Sequence, residues 1–358
     1  MLSVLHSNYS SSIFSYWTDF IQIIVITYLI TMVVRSEKEL KITLIAMSLS
    51  LGLEGAKQGW VHIILHPGSI NNNGHAVFGE NNGVAIGMLM IVPLLFALYQ
   101  ATERKLIKYG FLFLAIGVAY RALSTYSRGG FLSFIAMCLV YGLRSKYKIR
   151  SVVMIVLIVA LLLPMLPQAF WDRMDTITVS EGETRERSSA SRLHFWQVAW
   201  EMAKENPIFG VGHLAYANAY DYYDFSRGLY GSSRPVHSSW FGVLADWGFP
   251  GLILFLSIYF YSIYSCAHVQ NRCKNNPELK SLGIYSSGIE ASLITCSVGI
   301  SFLTLQYLEM LWHLFALAVV CNQILHTHYA TENGELKSAA VNTDLLERND
   351  IISIDTAN

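Results

Sequence analysis

The sequence predicts an all-α polytopic membrane protein, with about nine transmembrane helices and one large extracytoplasmic loop carrying a surface helix. Three observations carry that prediction. Charged residues make up 14% of the 358-residue chain and hydrophobic residues 53%, against about 25% charge in an ordinary soluble domain. The charges fall between long apolar runs. Those runs approach the roughly 20 residues that cross a bilayer as a helix, the conformation that satisfies each backbone group within its own segment. With 25 Lys plus Arg against 25 Asp plus Glu, no basic face is available for nucleic acid. Five Cys, none in the large loop, offer no disulfide framework there.

Taken in order, the expected spans are 17–34, 42–65, 83–101, 107–126, 129–143, 151–169, 240–265, 286–305 and 310–325. The second is long and Gly-interrupted, and the fifth is short. This divides the chain into an N-terminal membrane part (1–169), a loop (170–239), a second membrane part (240–325) and a polar tail (326–358). Lys and Arg crowd alternate short loops, at Arg35, Lys38 and Lys41; at Arg104, Lys105 and Lys108; at Arg144, Lys146, Lys148 and Arg150; and at Arg272, Lys274 and Lys280. The intervening short loops hold only Arg128. The positive-inside rule then puts the C-terminus in the cytoplasm and the N-terminus and residues 170–236 outside. Residues 1–15 lack the basic region and cleavage site of a signal peptide.

Charges inside spans are expensive and point to structure or function. Glu54 and Lys57, three apart, are placed to pair on one face. Arg121 either snorkels or binds a phosphate. Glu290 reads as interfacial, and Glu309 with His313 opens the ninth span. The stretch Ser127-Arg128-Gly129-Gly130 lies at the outer surface, where the glycines permit a tight turn with exposed N–H groups. It suits an oxyanion such as a diphosphate, or else an interface anchor. The 66–82 loop is rich in Asn and Gly, including Asn81 and Asn82, and suits either sugar hydroxyls or a plain turn.

The large loop carries more. Ser191 to Asn206-Pro207 reads as a capped helix, with Leu193, Trp196, Trp200 and Ala203 forming an apolar face that lies on the membrane. Arg192 falls in its first turn, unfavourably for the helix dipole, which suggests an anion partner. Next come the turn Pro207-Ile-Phe-Gly210-Val-Gly212 and six aromatics between Tyr216 and Tyr230. These suit stacking on sugar rings or an interface belt. Then Arg234-Pro-Val-His237-Ser-Ser-Trp240 leads into the seventh span. A neutral His237 there can accept a proton from a hydroxyl. The acid pairs Asp172/Asp175 and Asp221/Asp224 read as surface charge.

The ordered set of SRGG, R-x3-W with NPIFGVG, and HSSWFGVLADWGFPG resembles the O-antigen ligase/polymerase superfamily. The segment from GAKQG to GVAIGMLMIVPLL resembles its exosortase-associated O-glycosylation ligases. The resemblance runs from about residue 50 to 305. It implies a metal-independent, cofactor-free glycosyltransferase in the bacterial inner membrane. Such an enzyme moves a glycan from a polyprenyl diphosphate to a hydroxyl of a lipid, glycan or protein acceptor on the outer face. Arg128 and Arg192 would hold the diphosphate, with Arg121, Gly129, Gly210, Gly212, Arg234, Asn81 and Asn82 lining the substrate site and His237 serving the acceptor. A polymerase using the same carrier shares these motifs. A secondary transporter, with Glu54, Lys57, Arg121 and Glu290 as a path, is the rival of another class. Family members usually carry more than nine spans, and residues 1–40 do not supply the difference.

The orientation is testable. A cysteine placed at 188 is expected to react with an impermeant thiol reagent from outside intact cells, and one placed at 340 only after lysis; the reverse pattern overturns the assignment.

Overall fold

A computed structural model describes residues 10–144, 149, 153 and 184–332. Ten helices run through them, with no strand among the described residues: α1 (Ser10–Val33), α2 (Glu37–Leu65), α3 (Asn81–Ala101), α4 (Lys105–Leu123), α5 (Arg128–Arg144), α6 (Thr184–Glu205), α7 (Tyr216–Tyr223), α8 (Ser239–Cys273), α9 (Lys280–Ile300) and α10 (Glu309–Glu332). Five of them, α1, α3, α4, α8 and α10, hold stretches long and apolar enough to cross a membrane. The chain is an all-α polytopic membrane protein. The span expected at 151–169 lies outside the described residues. The other expected spans each fall on a helix, with α2 and α9 starting five or six residues earlier than expected and α10 running longer.

Local chemistry accounts for these shifts. Ser36 and Glu39 form a reciprocal capping box, Glu39 N donating to Ser36 Oγ at 3.3 Å and Ser36 N to Glu39 Oε2 at 3.0 Å. The box satisfies two orphan donors and starts α2 at Glu37. The 35 residues of α8 bend at Gly248, whose φ of 69° and ψ of −168° break the helix just before Pro250. Proline removes one more ladder donor there.

The centre of the bundle is α3, buried along nearly its whole length and flanked by α2, α4, α5 and α9. Helices in lipid gain little from apolar burial against one another, so they associate where small residues let backbones approach. The interfaces show this. A Cβ at Gly59 of α2 would strike the Gly117 carbonyl of α4, one at Gly288 of α9 would reach the Pro93 carbonyl of α3 at 2.9 Å, and one at Gly130 of α5 would meet Ala85 of α3 at 2.8 Å. Ser292 of α9 donates to the Met90 carbonyl of α3 at 2.7 Å. On the far side α10 packs against both α1 and α8. An apolar groove of about 890 Å³ separates α1 from α8, with Trp17, Phe209 and Trp247 among its walls.

Two charge assignments change. Glu54 does not pair with Lys57; it accepts a hydrogen bond from Gln58 Nε2 at 2.8 Å. Glu290 is not interfacial. Its side chain is 2% exposed and receives Arg144 of α5 and Gln270 of α8. A buried carboxylate is tolerable only when so compensated.

Residues 191–245 form a second, smaller core at one end of the bundle: Phe195, Val198, Ala199 and Met202 of α6, Tyr216, Ala219 and Tyr220 of α7, then Val236 and Ala245. The protein core takes a second apolar stripe of α6, through Phe195, Val198, Ala199 and Met202. Of the stripe expected to lie on the membrane, Leu193 is 56% exposed and Trp200 45%, while Ala203 is buried. Both stripes have helical spacing, and α7 and the start of α8 close onto the first. The helix also begins at Thr184, which moves Arg192 from the first turn to the third. There the helix dipole no longer disfavours a cation, so it gives no reason of its own for an anion at Arg192.

Candidate functional site

The site forms where three chain segments meet at the end of the bundle that carries this second core. In the first, Ser127 caps α5: its hydroxyl accepts from Gly130 N at 3.3 Å and its carbonyl from Phe131 N at 2.9 Å. Arg128, Gly129 and Gly130 are thus the first turn of a helix rather than a free loop. That turn directs N–H groups and the positive end of the dipole to the place where Arg128 emerges. Tyr126 just before it is left-handed, with φ of 53°.

The 66–82 loop braces this turn. Asn71 N donates to the Ser124 carbonyl at 2.8 Å, Tyr126 Oη to the Gly68 carbonyl at 2.6 Å, and Asn81 Nδ2 to the Thr125 carbonyl at 2.8 Å. Arg121 works inside the brace. It is 1% exposed. Its Nε donates to Gln58 Oε1 at 2.8 Å, its Nη1 to the Asn71 carbonyl at 3.2 Å, and its Nη2 to the Asn73 carbonyl. Arg121 therefore acts as a scaffold. It orders the loop beside Arg128 and keeps no face for a ligand. Asn81 Oδ1 is buried without a partner, and Asn82 is exposed beside it.

The second segment is α6 with the turn that follows. Val211 N donates to the Ala245 carbonyl at 2.8 Å, Gly212 N to the Asp246 carbonyl at 3.2 Å, and Phe249 N to the Pro207 carbonyl at 2.9 Å. Gly210 and Gly248 are both left-handed, and a Cβ at either would collide with the backbone facing it across the joint. The expected substrate contacts at Gly210 and Gly212 are therefore replaced by a structural one. These glycines let a turn dock, backbone to backbone, on the kink of α8. Asp246 locks the joint from within. Its carboxylate accepts from Tyr307 Oη at 2.8 Å and Tyr216 N at 3.3 Å. His213 packs among Trp17, Phe20, Trp247 and Tyr307, and burial pulls its pKa down to about 4, so it serves as a neutral ring.

The third segment is 234–240. Ser239 Oγ donates to the Leu303 carbonyl and accepts from Leu305 N, both at 2.8 Å, and Trp240 Nε1 donates to Ser301 Oγ at 3.0 Å. This pins the start of α8 and leaves His237, half-buried, in a left-handed conformation with φ of 51°. Left-handed backbone on a non-glycine costs about 1–3 kcal/mol and gathers at functional sites. His237 lies beside Phe195 of α6, ring centres 6.0 Å apart.

Electrostatics shows that the segments converge. Arg192 is held below its ordinary pKa by burial and then by the charge of Arg128. His237 is held below its ordinary value by burial, then by Arg192 and Arg234. Arg128 thus lies within electrostatic reach of Arg192, and Arg192 and Arg234 within reach of a neutral His237, although they span more than a hundred positions of sequence.

No local motif pointed to His194 and Asp224. His194 Nε2 meets Asp224 Oδ1 at 2.7 Å, both side chains nearly buried. Burial alone would raise the Asp224 pKa; hydrogen bonds from Ser226, Gly228 and His194 outweigh it and hold the carboxyl at about 2. Asp224 is a buried anchor of the 224–234 segment, not surface charge. Asp246 and Tyr307 were equally unmarked in the sequence.

An all-helical membrane protein with arginines gathered around a histidine at one end of its bundle is the class defined so far. Residues 110–256 match the family model for O-antigen ligase, a stretch that contains Arg121, Arg128, Arg192, Arg234 and His237. Over this stretch the chain is similar to that family. No curated protein matches it.

The docking of the turn gives a direct test. Gly210→Ala forces a Cβ into the Ala245 and Asp246 carbonyls at a positive φ. It is expected to cost about 2–3 kcal/mol, read as a lower unfolding midpoint in detergent, whereas Gly228→Ala, left-handed but facing open space, is expected to cost about 1 kcal/mol.

Proposed function

We propose that the protein transfers a glycan from a polyprenyl diphosphate to an acceptor hydroxyl at the outer face of the bacterial inner membrane, as a ligase, without a resident metal. The observation that carries this reading is the cluster of Arg128, Arg192 and Arg234 against His237, at a helix start and at the membrane-facing root of a folded loop. The matched family supports glycan transfer in general.

In this mechanism the two arginines Arg128 and Arg192 grip the diphosphate bidentately, which a lysine does not reproduce. His237 takes the proton of the acceptor O–H. The oxygen attacks C1 of the sugar, the C1–O bond to phosphate breaks, and its electron pair leaves on the diphosphate. The guanidinium charges and the N–H groups of the α5 first turn stabilise that growing negative charge. His237 then releases its proton to water. Its lowered pKa keeps it neutral, and therefore a base, at neutral pH. Arg234, whose charge reaches His237, and the exposed Asn82 would meet the glycan.

Two outcomes are expected. In vesicles supplied with a labelled polyprenyl diphosphate glycan, Arg128→Lys should lower transfer by about 10²–10³-fold and weaken carrier binding. His237→Ala should lower transfer by roughly 10²–10⁴-fold with binding kept. Binding lost in His237→Ala and kept in Arg128→Lys would reverse the two roles; wild-type rates in both would move the site elsewhere.

The second concerns pH. Because His237 of the free enzyme has a pKa below its ordinary 6.5, kcat/KM should hold as pH falls through 6.5 and decline only below it. Arg234→Gln removes one of the charges that lowers it, so the acid limb should move upward. An acid limb at or above 6.5 in the unaltered enzyme contradicts the assignment.

A further inference from the structure

The face of α2 that points away from the bundle carries charge where the membrane offers none of its own. The packed face is Leu44, Ser48, Gly52, Gly55, Ala56 and Gly59. On the other side Ala46, Ser50, Leu53, Lys57, Val61 and Ile64 are all exposed at helical spacing, with Glu54 beside them. Glu54 lies 11 residues and Lys57 8 residues before the end of α2 at Leu65, about 16 and 12 Å along the axis. α2 is not one of the five long apolar helices, but it packs along α4, which is, and its Trp60 stacks on Phe113 of α4 one turn beyond Lys57. Glu54 accepts from Gln58 and is felt by His75 of the adjacent loop. Lys57 makes no hydrogen bond or ion pair among the described residues. A lysine left to lipid at this depth costs several kcal/mol in translocon insertion.

We infer that this face of α2 is a self-association surface, and that a second copy of this chain supplies the counter-charges. Every copy inserts with the same orientation, so a two-fold axis runs along the membrane normal and sets two α2 helices parallel. Such an interface is isologous: if Glu54 of one copy faces Lys57 of the other, Lys57 of the first faces Glu54 of the second. The two residues are three positions apart, about 4.5 Å along the helix, which the lengths of the two side chains span. One contact then neutralises four charges with no further component. Ala46 and Ser50 have the one-turn spacing of small residues that permits close approach of helices in lipid, and Leu53 and Ile64 supply apolar contact above and below. Self-association stands apart from glycan transfer, since it is read without any substrate.

The test is a charge-exchange experiment on the full chain in liposomes, followed by energy transfer between donor- and acceptor-labelled copies. The unaltered chain is expected to associate. Glu54→Lys and Lys57→Glu, each alone, place like charges across the axis and should weaken association about tenfold or more. Mixing the Glu54→Lys chain with the Lys57→Glu chain should restore association between the two kinds of chain only. A monomeric unaltered chain at every lipid ratio, single variants that associate like the unaltered chain, or a mixture no better than its components each overturns the inference. Where a charge variant fails to insert, Leu53→Cys in the otherwise unaltered chain decides: a disulfide-linked dimer in oxidised membranes supports the surface, and cross-linking no greater than that of Ile253→Cys on the exposed side of α8 refutes it.

Discussion

The backbone joint between residues 207–212 and the kink of α8 governs the rest of the structure. Arg192 sits on a helix whose connection to the preceding span lies outside the described residues, and His237 sits at the root of α8. Their relative position is set by three main-chain hydrogen bonds, from Val211, Gly212 and Phe249, and by glycines that leave no Cβ between the two surfaces. Main-chain contact is well suited to this. It has no rotamers to lose and no long side chains to flex, so the loop core is held against the bundle with little slack. The buried Asp246 then ties Tyr307 and Tyr216 into the same joint. A carboxylate inside a membrane protein is costly unless each oxygen is bonded, and here each is.

Two of the other buried charges are used in the same manner. Arg121 spends its guanidinium on Gln58 and two loop carbonyls, which fixes the 66–82 loop against the turn that bears Arg128. Arg144 and Gln270 close on Glu290 where α5, α8 and α9 meet. Apart from Lys57, the charges the rival transport path would use belong to separate local networks among the described residues, Glu54–Gln58–Arg121 in one and Arg144–Gln270–Glu290 in another. A transport path needs polar groups that continue into one another across the bilayer, and these do not.

The fold class was legible because composition and hydropathy follow from the solvent: lipid demands long apolar helices, and 53% hydrophobic residues leave little else. Helix ends were less so. The Ser36–Glu39 box was readable and shows why α2 starts early, while the kink at Gly248 depends on a partner turn forty residues away. The three arginines and His237 lie in local motifs that the sequence alone singles out. The roles of Arg121, Gly210 and Gly212 were not, because a residue type fitted for an anion or a close backbone approach looks the same whether the partner is a ligand or the protein itself. The stripe of α6 that packs into the protein was not marked for a similar reason. Trp196 and Trp200 share its period, and only closure by α7 shows that a second periodic face, through Phe195, is covered by the chain itself. His194 and Asp224 sit 30 positions apart with no motif to join them.

The electrostatics of the cleft links its strain to its use. Arg128 lowers Arg192, and Arg192 and Arg234 lower His237, so cations have been brought within reach of one another and partly desolvated. Such an arrangement opposes folding, and the left-handed backbone at His237, Tyr126 and Ser233 adds to the cost at the same place. Asp224, the nearby buried acid, is tied to His194 and to backbone N–H groups of its own segment. Structures retain strain and like-charge crowding where function uses them. On the proposed mechanism, a diphosphate bound among the arginines would offset these repulsions and raise the proton affinity of His237. The base would then be stronger with the donor in place than without it, which would couple deprotonation of the acceptor to donor binding through charge alone.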